Sequence, residues 1–224
     1  MPPMPDVRES WRTERAFASV YDAAVERERV ARVFGRVMWG TDTRDMFAAI
    51  SALGELPDGS AVLDVPCGGG LAFRGLRPDQ AIRYVAADIS SYMLDRARER
   101  AREHGIDWIE FAEADAFALP FDDDSFDLCV TFNGLHCLPE QRPALAELAR
   151  VLKPGGKLRG TAVVDGKGLR HDAIITLFRR ISVFGETTTA EQLRASLDEA
   201  GFAQVRVEPS GALAFFNARK PALP

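Results

Sequence analysis

The chain has little of what marks several common classes of protein. Its three cysteines, Cys67, Cys129 and Cys137, are an odd and sparse set without CxxC spacing. They exclude a disulfide framework and a zinc ribbon, no metal site is expected, and they read as reduced thiols of a cytoplasmic protein. No apolar run is long enough to span a bilayer. The N-terminal Met1-Pro2-Pro3-Met4-Pro5-Asp6 lacks the basic and apolar regions of a signal peptide. Basic residues are not in excess: 28 Lys and Arg against 33 Asp and Glu leave a formal net charge of −5. That balance argues against general nucleic-acid binding, which favours clustered Lys and Arg. There is no internal repeat and no low-complexity tract.

What is present is a chain of 224 residues, 46% hydrophobic, a size that suits one domain with a full core over 1–224. It is organised around Val62-Leu63-Asp64-Val65-Pro66-Cys67-Gly68-Gly69-Gly70. Residues 61–65 form a short apolar run that predicts a buried strand, ending at an acidic residue and a turn of three glycines. A short helix begins at Leu71. Strand, glycine turn and helix N-terminus together bring backbone N–H groups close to a ligand, because glycine has no Cβ to block the approach. A purely structural βα turn has the same pattern, so the strand ends that follow carry the decision.

The N-terminal part predicts two helices, 11–31 and 44–53, joined by an apolar link that contains Trp39. In the first, Phe17, Val20, Tyr21 and Val25 recur at helical spacing. Strands are then expected over 61–65, 82–87, 107–112, 126–132 and 157–164. Helices over 91–104, stopped by Gly105, and over 141–152 alternate with them. Lys153-Pro154-Gly155-Gly156 is expected to reverse the chain. An insertion at 166–185 contains the apolar helical piece 174–178. Thr189, with Gln192 three residues on, predicts the start of a helix that Gly201 ends. Two last strands, 202–208 and 213–219, are separated by a turn too short for anything but an antiparallel hairpin. The expected class is α/β: a Rossmann-like, mostly parallel seven-stranded sheet with helices on both faces and an antiparallel final strand. Residues 1–55 and 166–186 are expected to cover a core of 56–165, completed by a helix and hairpin over 187–224.

In such sheets ligands sit at the carboxyl ends of the strands, near the switch in strand order. Those ends carry Asp64 with the glycine turn, Asp88, Asp115 and Asn133. Asp88 lies about 20 residues beyond the glycines, the spacing at which a carboxylate accepts hydrogen bonds from ribose hydroxyls. Asp115 precedes the apolar loop 116–121, suited to an adenine ring whose exocyclic amine the carboxylate would bind. Taken singly, Asp88 also fits a helix-capping carboxylate and Asp115 an ordinary loop residue.

Five ordered blocks resemble the class I S-adenosylmethionine-dependent methyltransferases, in the branch of ubiquinone/menaquinone-biosynthesis C-methyltransferases and small-molecule methyltransferases. They are VLDVPCGGG, ADISSYMLDRAR from Ala87, EADAFALPFDDDSFD from Glu113, FNGLH from Phe132 and RVLKPGGKL from Arg150. Together they cover roughly residues 60–165. The resemblance implies S-adenosyl-L-methionine as cofactor. Asp64, Pro66, Cys67, Gly68 and Gly70 would form the loop around its methionine part, and Asp88 the ribose-binding acid. Ile89 and Met93 would be apolar neighbours, Asp115 and Ala116 the adenine-edge pair, and Asn133 the strand end beside the methionine moiety. Tyr21 resembles part of an N-terminal pair that closes over the cofactor. One position departs: Pro66 stands where the family usually has glycine.

The expected reaction is C- or O-methylation of a small, hydrophobic or aromatic acceptor, with Trp39, Phe178 and Phe184 as candidate acceptor-lining residues. His136 is the candidate general base, needed only for poorly ionised acceptors. Two rival readings stand beside this one. One is a protein of the same fold that binds the cofactor without methylating. The other is a nicotinamide-dependent oxidoreductase, disfavoured because G-x-G-x-x-G is absent.

Overall fold

A computed structural model describes Val33 and residues 35–222. The expected helix over 11–31, with Tyr21, lies outside the described residues. Seven strands follow one another as β1 (Ala61–Asp64), β2 (Arg83–Asp88), β3 (Glu110–Glu113), β4 (Phe126–Phe132), β5 (Leu152–Val163), β6 (Ala203–Ser210) and β7 (Leu213–Arg219). They form one sheet in the order β3-β2-β1-β4-β5-β7-β6. β1 to β5 pair in parallel, while β7 runs antiparallel to both β5 and β6. The last two strands are the predicted hairpin. Strand order reverses between β1 and β4, which opens a crevice at their carboxyl ends.

The α-helices that lie wholly within the described residues are α1 (Arg44–Ser51), α2 (Ser91–Glu103), α3 (Gln141–Val151), α4 (Leu169–Arg180) and α5 (Ala190–Glu199). Successive side chains of a strand point to opposite faces, so the apolar central strands feed two cores. Val62, Leu128 and Val130 pack with Met46 and Ile50 of α1 and with Leu94 and Ala97 of α2. Leu63 and Cys129 pack on the other face with Leu145 and Leu148 of α3 and Leu193 and Leu197 of α5. The helix ends follow from local chemistry. Ser90 Oγ accepts from Met93 N–H at the start of α2, and Thr189 and Gln192 form a reciprocal capping box on α5. Gly105 and Gly201, at φ +67° and +88°, carry the chain out of α2 and α5.

Two expectations need correction. β3 begins at Glu110 rather than at 107; Trp108 instead turns its indole N–H to the carbonyl of Pro78. Lys153-Pro154-Gly155-Gly156 does not reverse the chain but lies inside β5. There the register against β4 jumps from Phe126–Leu152 to Leu128–Lys157, and Gly155 and Gly156 exchange backbone hydrogen bonds with Lys220. The insertion forms a full helix, α4, which packs against the link Gly35–Trp39. That link is a π-helical turn, and Trp39, Phe178 and Phe184 meet in a third small core with Val163, Ile175 and Leu213.

Candidate active site

The glycine turn sits where β1 ends. Cys67 N–H donates to Ala87 O of β2 at 2.9 Å, and Gly70 N–H closes the turn on Cys67 O at 3.0 Å. Gly68 and Gly70 have φ of +52° and +83°, a region that costs an ordinary L-residue about 1 kcal/mol or more. A Cβ on Gly70 would meet the Phe73 ring at 2.5 Å, so the space is filled from the core side. Pro66 packs beside Gly134, where a Cβ would come within 2.6 Å of its Cδ. Proline therefore fits in place of the usual glycine because its neighbour across the crevice is a glycine, and the residues after it keep the turn.

Two buried carboxylates lie behind this turn. Asp88 Oδ2 accepts from Gly68 N–H at 2.8 Å and Oδ1 from Ser90 N–H at 2.9 Å. The side chain thus ties the end of β2 to the turn. Burial pushes its carboxyl up to about 6, against the opposing backbone N–H groups of Ser90, Gly68 and Ile89. Asp64 Oδ2 accepts from the Tyr84 hydroxyl at 2.9 Å. Burial pushes it up to about 7; the Tyr84 bond opposes the shift and the charge of Asp88 adds to it. Neither acid is bonded to Lys or Arg among the described residues. A cationic ligand would therefore find a buried negative charge with no competing protein cation.

The crevice is lined by both ends of this arrangement. Pro66, Cys67, Gly68, Asp88, Ile89, Met93, Asp115, Ala116 and Asn133, all named from sequence, share one cavity. Its enclosed volume is about 110 Å³. Asp115 Oδ1 accepts from Phe117 N–H at 3.0 Å, which curls the apolar loop over the cavity. That loop is held from outside, because Leu119 N–H donates to Glu147 Oε2 while Arg150 donates to the carbonyls of Leu119 and Phe121. Asn133 adopts φ +58°; its N–H donates to Thr161, whose hydroxyl returns a 2.8 Å bond to Asn133 Oδ1.

The remaining sequence candidates lie elsewhere. Asp64 and Gly70 support the turn from behind and do not line the cavity. Trp39, Phe178 and Phe184 do not line it either: their ring centroids lie 5.1–6.1 Å apart in the third core. His136 is 1% exposed and stacks edge-on to Phe184 at 4.5 Å. Its Nδ1 accepts from Val163 N–H, which leaves the proton on a sealed, unpartnered Nε2. Burial pushes it down to about 3. This ring is neutral and walled off from the cavity, a poor arrangement for a general base.

Sequence reasoning passed over Arg100. It is 7% exposed, and its guanidinium donates to Gly69 O at 2.6 Å, gripping the glycine turn from α2. The available signal was its position on the buried stripe of α2, in line with Met93, Ala97 and Ala101.

The turn, the buried acids and the apolar cavity suit a nucleoside-bearing sulfonium, and the comparisons agree. Residues 63–159 match the family described as "Methyltransferase domain". Over that stretch the chain is similar to S-adenosylmethionine-dependent methyltransferases. S-adenosyl-L-methionine is the cofactor of this class. A curated relative, the demethylmenaquinone methyltransferase of Clavibacter sepedonicus, is 46% identical over 100 residues, which are 45% of this chain and 40% of that protein. The chain spans less than half the length of this and the next curated relatives it matches. Among solved structures, phosphoethanolamine N-methyltransferase 2 of Haemonchus contortus in complex with S-adenosyl-L-methionine aligns with a TM-score of 0.68. It covers 93% of this chain and 61% of its own, at 17% identity. The [4+2]-cyclase SpnF aligns at 0.63, with 26% identity and coverage of 80% of this chain and 81% of its own. The likeness to these structures is one of fold.

Proposed function

We propose that the chain transfers a methyl group from S-adenosyl-L-methionine to a small, apolar, hydrophobic or aromatic acceptor, at carbon or oxygen. The observation that carries this reading is the junction of Asp88 with the Gly68 N–H at the mouth of an apolar cavity. The cofactor supplies the electrophile, a methyl group on a sulfonium, so the hard chemistry does not fall to the protein. The chain's residues bind, orient and exclude water. Asp88, with lone pairs left on both oxygens, accepts from ribose hydroxyls. Asp115 and Ala116 take the adenine edge, with Phe117, Ile89 and Met93 supplying apolar contact. Gly68 and Gly69 allow close backbone approach, and Asn133 faces them from the end of β4. Holding two reactants in line supplies about 7–11 kcal/mol of a bimolecular barrier.

His136 takes no proton in this scheme. An acceptor that ionises readily, or an activated carbon, fits the site better than a neutral alcohol. The three free cysteines, two of them buried, support a cytoplasmic setting. Calorimetric titration with S-adenosylhomocysteine tests cofactor recognition: micromolar-range binding is expected, and silence would sink it. A transfer assay with isotope-labelled methyl, run over quinols and phenols, tests the chemistry. Label acquired by an acceptor separates this reading from a non-methylating use of the same fold.

A further inference from the structure

Among the described residues, the exposed large apolar side chains are Val33, Val37, Leu169, Leu177 and Ile181, between 48% and 92% exposed. All five fall on two segments that pack together. Val33 and Val37 lie in and beside the π-helical turn Gly35–Trp39. The other three lie on α4 and its C-terminal cap, Ile181. Arg170 donates to the Val37 carbonyl, and the Trp39 and Phe178 rings meet at 6.1 Å, which joins the two segments into one face. On α4, Leu169, Ala173, Leu177 and Ile181 recur every four residues, and all are exposed. A helix stripe of this kind normally turns inward. Here the inward side is occupied by Ile175 and Phe178, and a second apolar stripe faces out.

The stripe is flanked by Arg170, Arg179 and Arg180, all exposed. The helix's acid, Asp172, turns back to accept from Gly166 N–H, and Asp42 nearby is engaged by Arg36 and Arg44. This face is therefore apolar and basic on a chain whose net charge is −5. We propose that it docks on anionic lipid bilayers, α4 lying in the interface with its leucines inserted and its arginines at the headgroups. An exposed apolar stripe bordered by arginine is the pattern of a helix that lies in a membrane surface.

Charge separates this occupant from the others. A second copy of the chain, packed face to face about a twofold axis, would bring like-charged arginines together. Residues 1–32 carry six acidic and six basic side chains and offer the arginines no net complement. The face also borders the cavity wall. Gly185 and Glu186, just past α4, donate backbone hydrogen bonds to His136 O and to Leu138 O, and Leu138 lines the cavity. A docked chain would present the crevice to molecules dissolved in the bilayer. That the methyl acceptor is drawn from there rests on the function proposed above; the docking itself does not.

Co-sedimentation of the full chain with vesicles tests the docking. Binding to phosphatidylglycerol–phosphatidylcholine vesicles is expected, with little to phosphatidylcholine alone and a loss as salt is raised. Arg179→Gln with Arg180→Gln should weaken it about 30-fold, from the usual contribution of each basic residue near an anionic surface. Leu177→Asp should abolish it. No sedimentation with either vesicle, or equal sedimentation with both, overturns the proposal. Maleimide labelling of Leu177→Cys supplies a readout independent of those variants. Rapid labelling slowed by anionic vesicles supports the docking, while slow labelling of the free chain means that residues 1–32 or a second copy already cover the stripe. Vesicle binding with no response to S-adenosylhomocysteine would sustain the docking and remove the function assigned to the crevice.

Discussion

The two sides of the β4 carboxyl end bury polar groups in opposite ways. Toward β1 and β2, Asp64 and Asp88 are buried as acids held near their ionisation point, Asp88 bonded to the glycine turn and Asp64 to the Tyr84 hydroxyl. Toward β5 and α4, His136 is buried as a neutral ring among Trp39, Phe178 and Phe184, with one nitrogen bonded and the other sealed. The first side keeps charge available beside an open cavity; the second removes it and fills the space with aromatic packing. One side is built for a ligand and the other for rigidity. The difference is testable, because it predicts which substitutions cost stability and which cost affinity.

The largest expected effect is Phe184→Ala. Truncating a buried phenylalanine costs about 3–5 kcal/mol, and here it also strips the packing from His136 and Trp39. Urea denaturation should record that loss, while S-adenosylhomocysteine affinity of the folded fraction stays unchanged. A weakened affinity at full stability would move this aromatic cluster into the ligand site and break the comparison. Asp88→Ala should do the reverse. Removing an acceptor of charge-assisted bonds costs about 1.5–3 kcal/mol for each bond, so two ribose bonds amount to roughly 4 kcal/mol, a loss on the order of 1,000-fold in affinity. Titration with S-adenosylhomocysteine checks this, and an unaffected Kd would overturn the assignment of the crevice.

These two positions also mark what the sequence makes legible. Asp88 could be placed because it follows from local rules: an apolar strand, a spacing from the glycines, and strand ends that converge in a parallel sheet. The same rules located Asp115 and Asn133 and the order of the elements. Phe184, Phe178 and Trp39 carried the same apolar signal whether they faced a ligand or one another. Nothing in spacing distinguishes a pocket wall from a core, since that choice depends on contacts distant in sequence, as between Trp39 and Phe178. His136 was ambiguous for the same reason. Its partner is a backbone N–H of β5, and no pattern along the chain announces such a bond. The Lys153–Gly156 stretch misled in another way: glycine and proline signal a turn, but the pairing with Lys220 kept them within a strand.

A pH series sharpens the contrast at intermediate magnitude. The carboxyl of Asp88 is raised to about 6 from the ordinary 3.8, so folding takes up a proton between those values. Its contribution to stability is fully present below the unfolded pKa and is lost as pH rises through the folded one. Between about pH 4 and 7 the wild type without ligand should lose on the order of 3 kcal/mol from this group. Asp88→Asn should flatten that part of the curve of urea midpoint against pH. His136, pushed down to about 3 by burial, gives the opposite slope in the same window, because it stays neutral in the folded chain while the unfolded ring takes up a proton below about 6.5; the difference between wild type and Asp88→Asn isolates the carboxyl. A variant curve parallel to the wild type would mean that Asp88 is solvated rather than buried.

The smallest effect concerns how the ligand side keeps its shape. Backbone in the left-handed region tends to relax, and the turn has two such glycines flanking Gly69. Arg100 opposes relaxation by holding the Gly69 carbonyl at 2.6 Å, which turns that oxygen toward α2. The Gly68 N–H is thereby kept on Asp88. Replacing the guanidinium by an apolar chain of similar length, Arg100→Met, removes the charge-assisted bond to Gly69 O, worth about 1.5 kcal/mol, and leaves the strands intact. S-adenosylhomocysteine should then bind roughly tenfold more weakly. With saturating cofactor the transfer rate should persist, since Arg100 positions the turn without touching the reacting atoms. Arg100→Lys, which keeps a charged donor within reach of the same carbonyl, should recover part of the affinity. Equal losses for Met and Lys, tracking a fall in thermal stability, would reduce Arg100 to a packing residue; a split between KM and kcat with partial rescue makes it the clamp that holds the ligand side open.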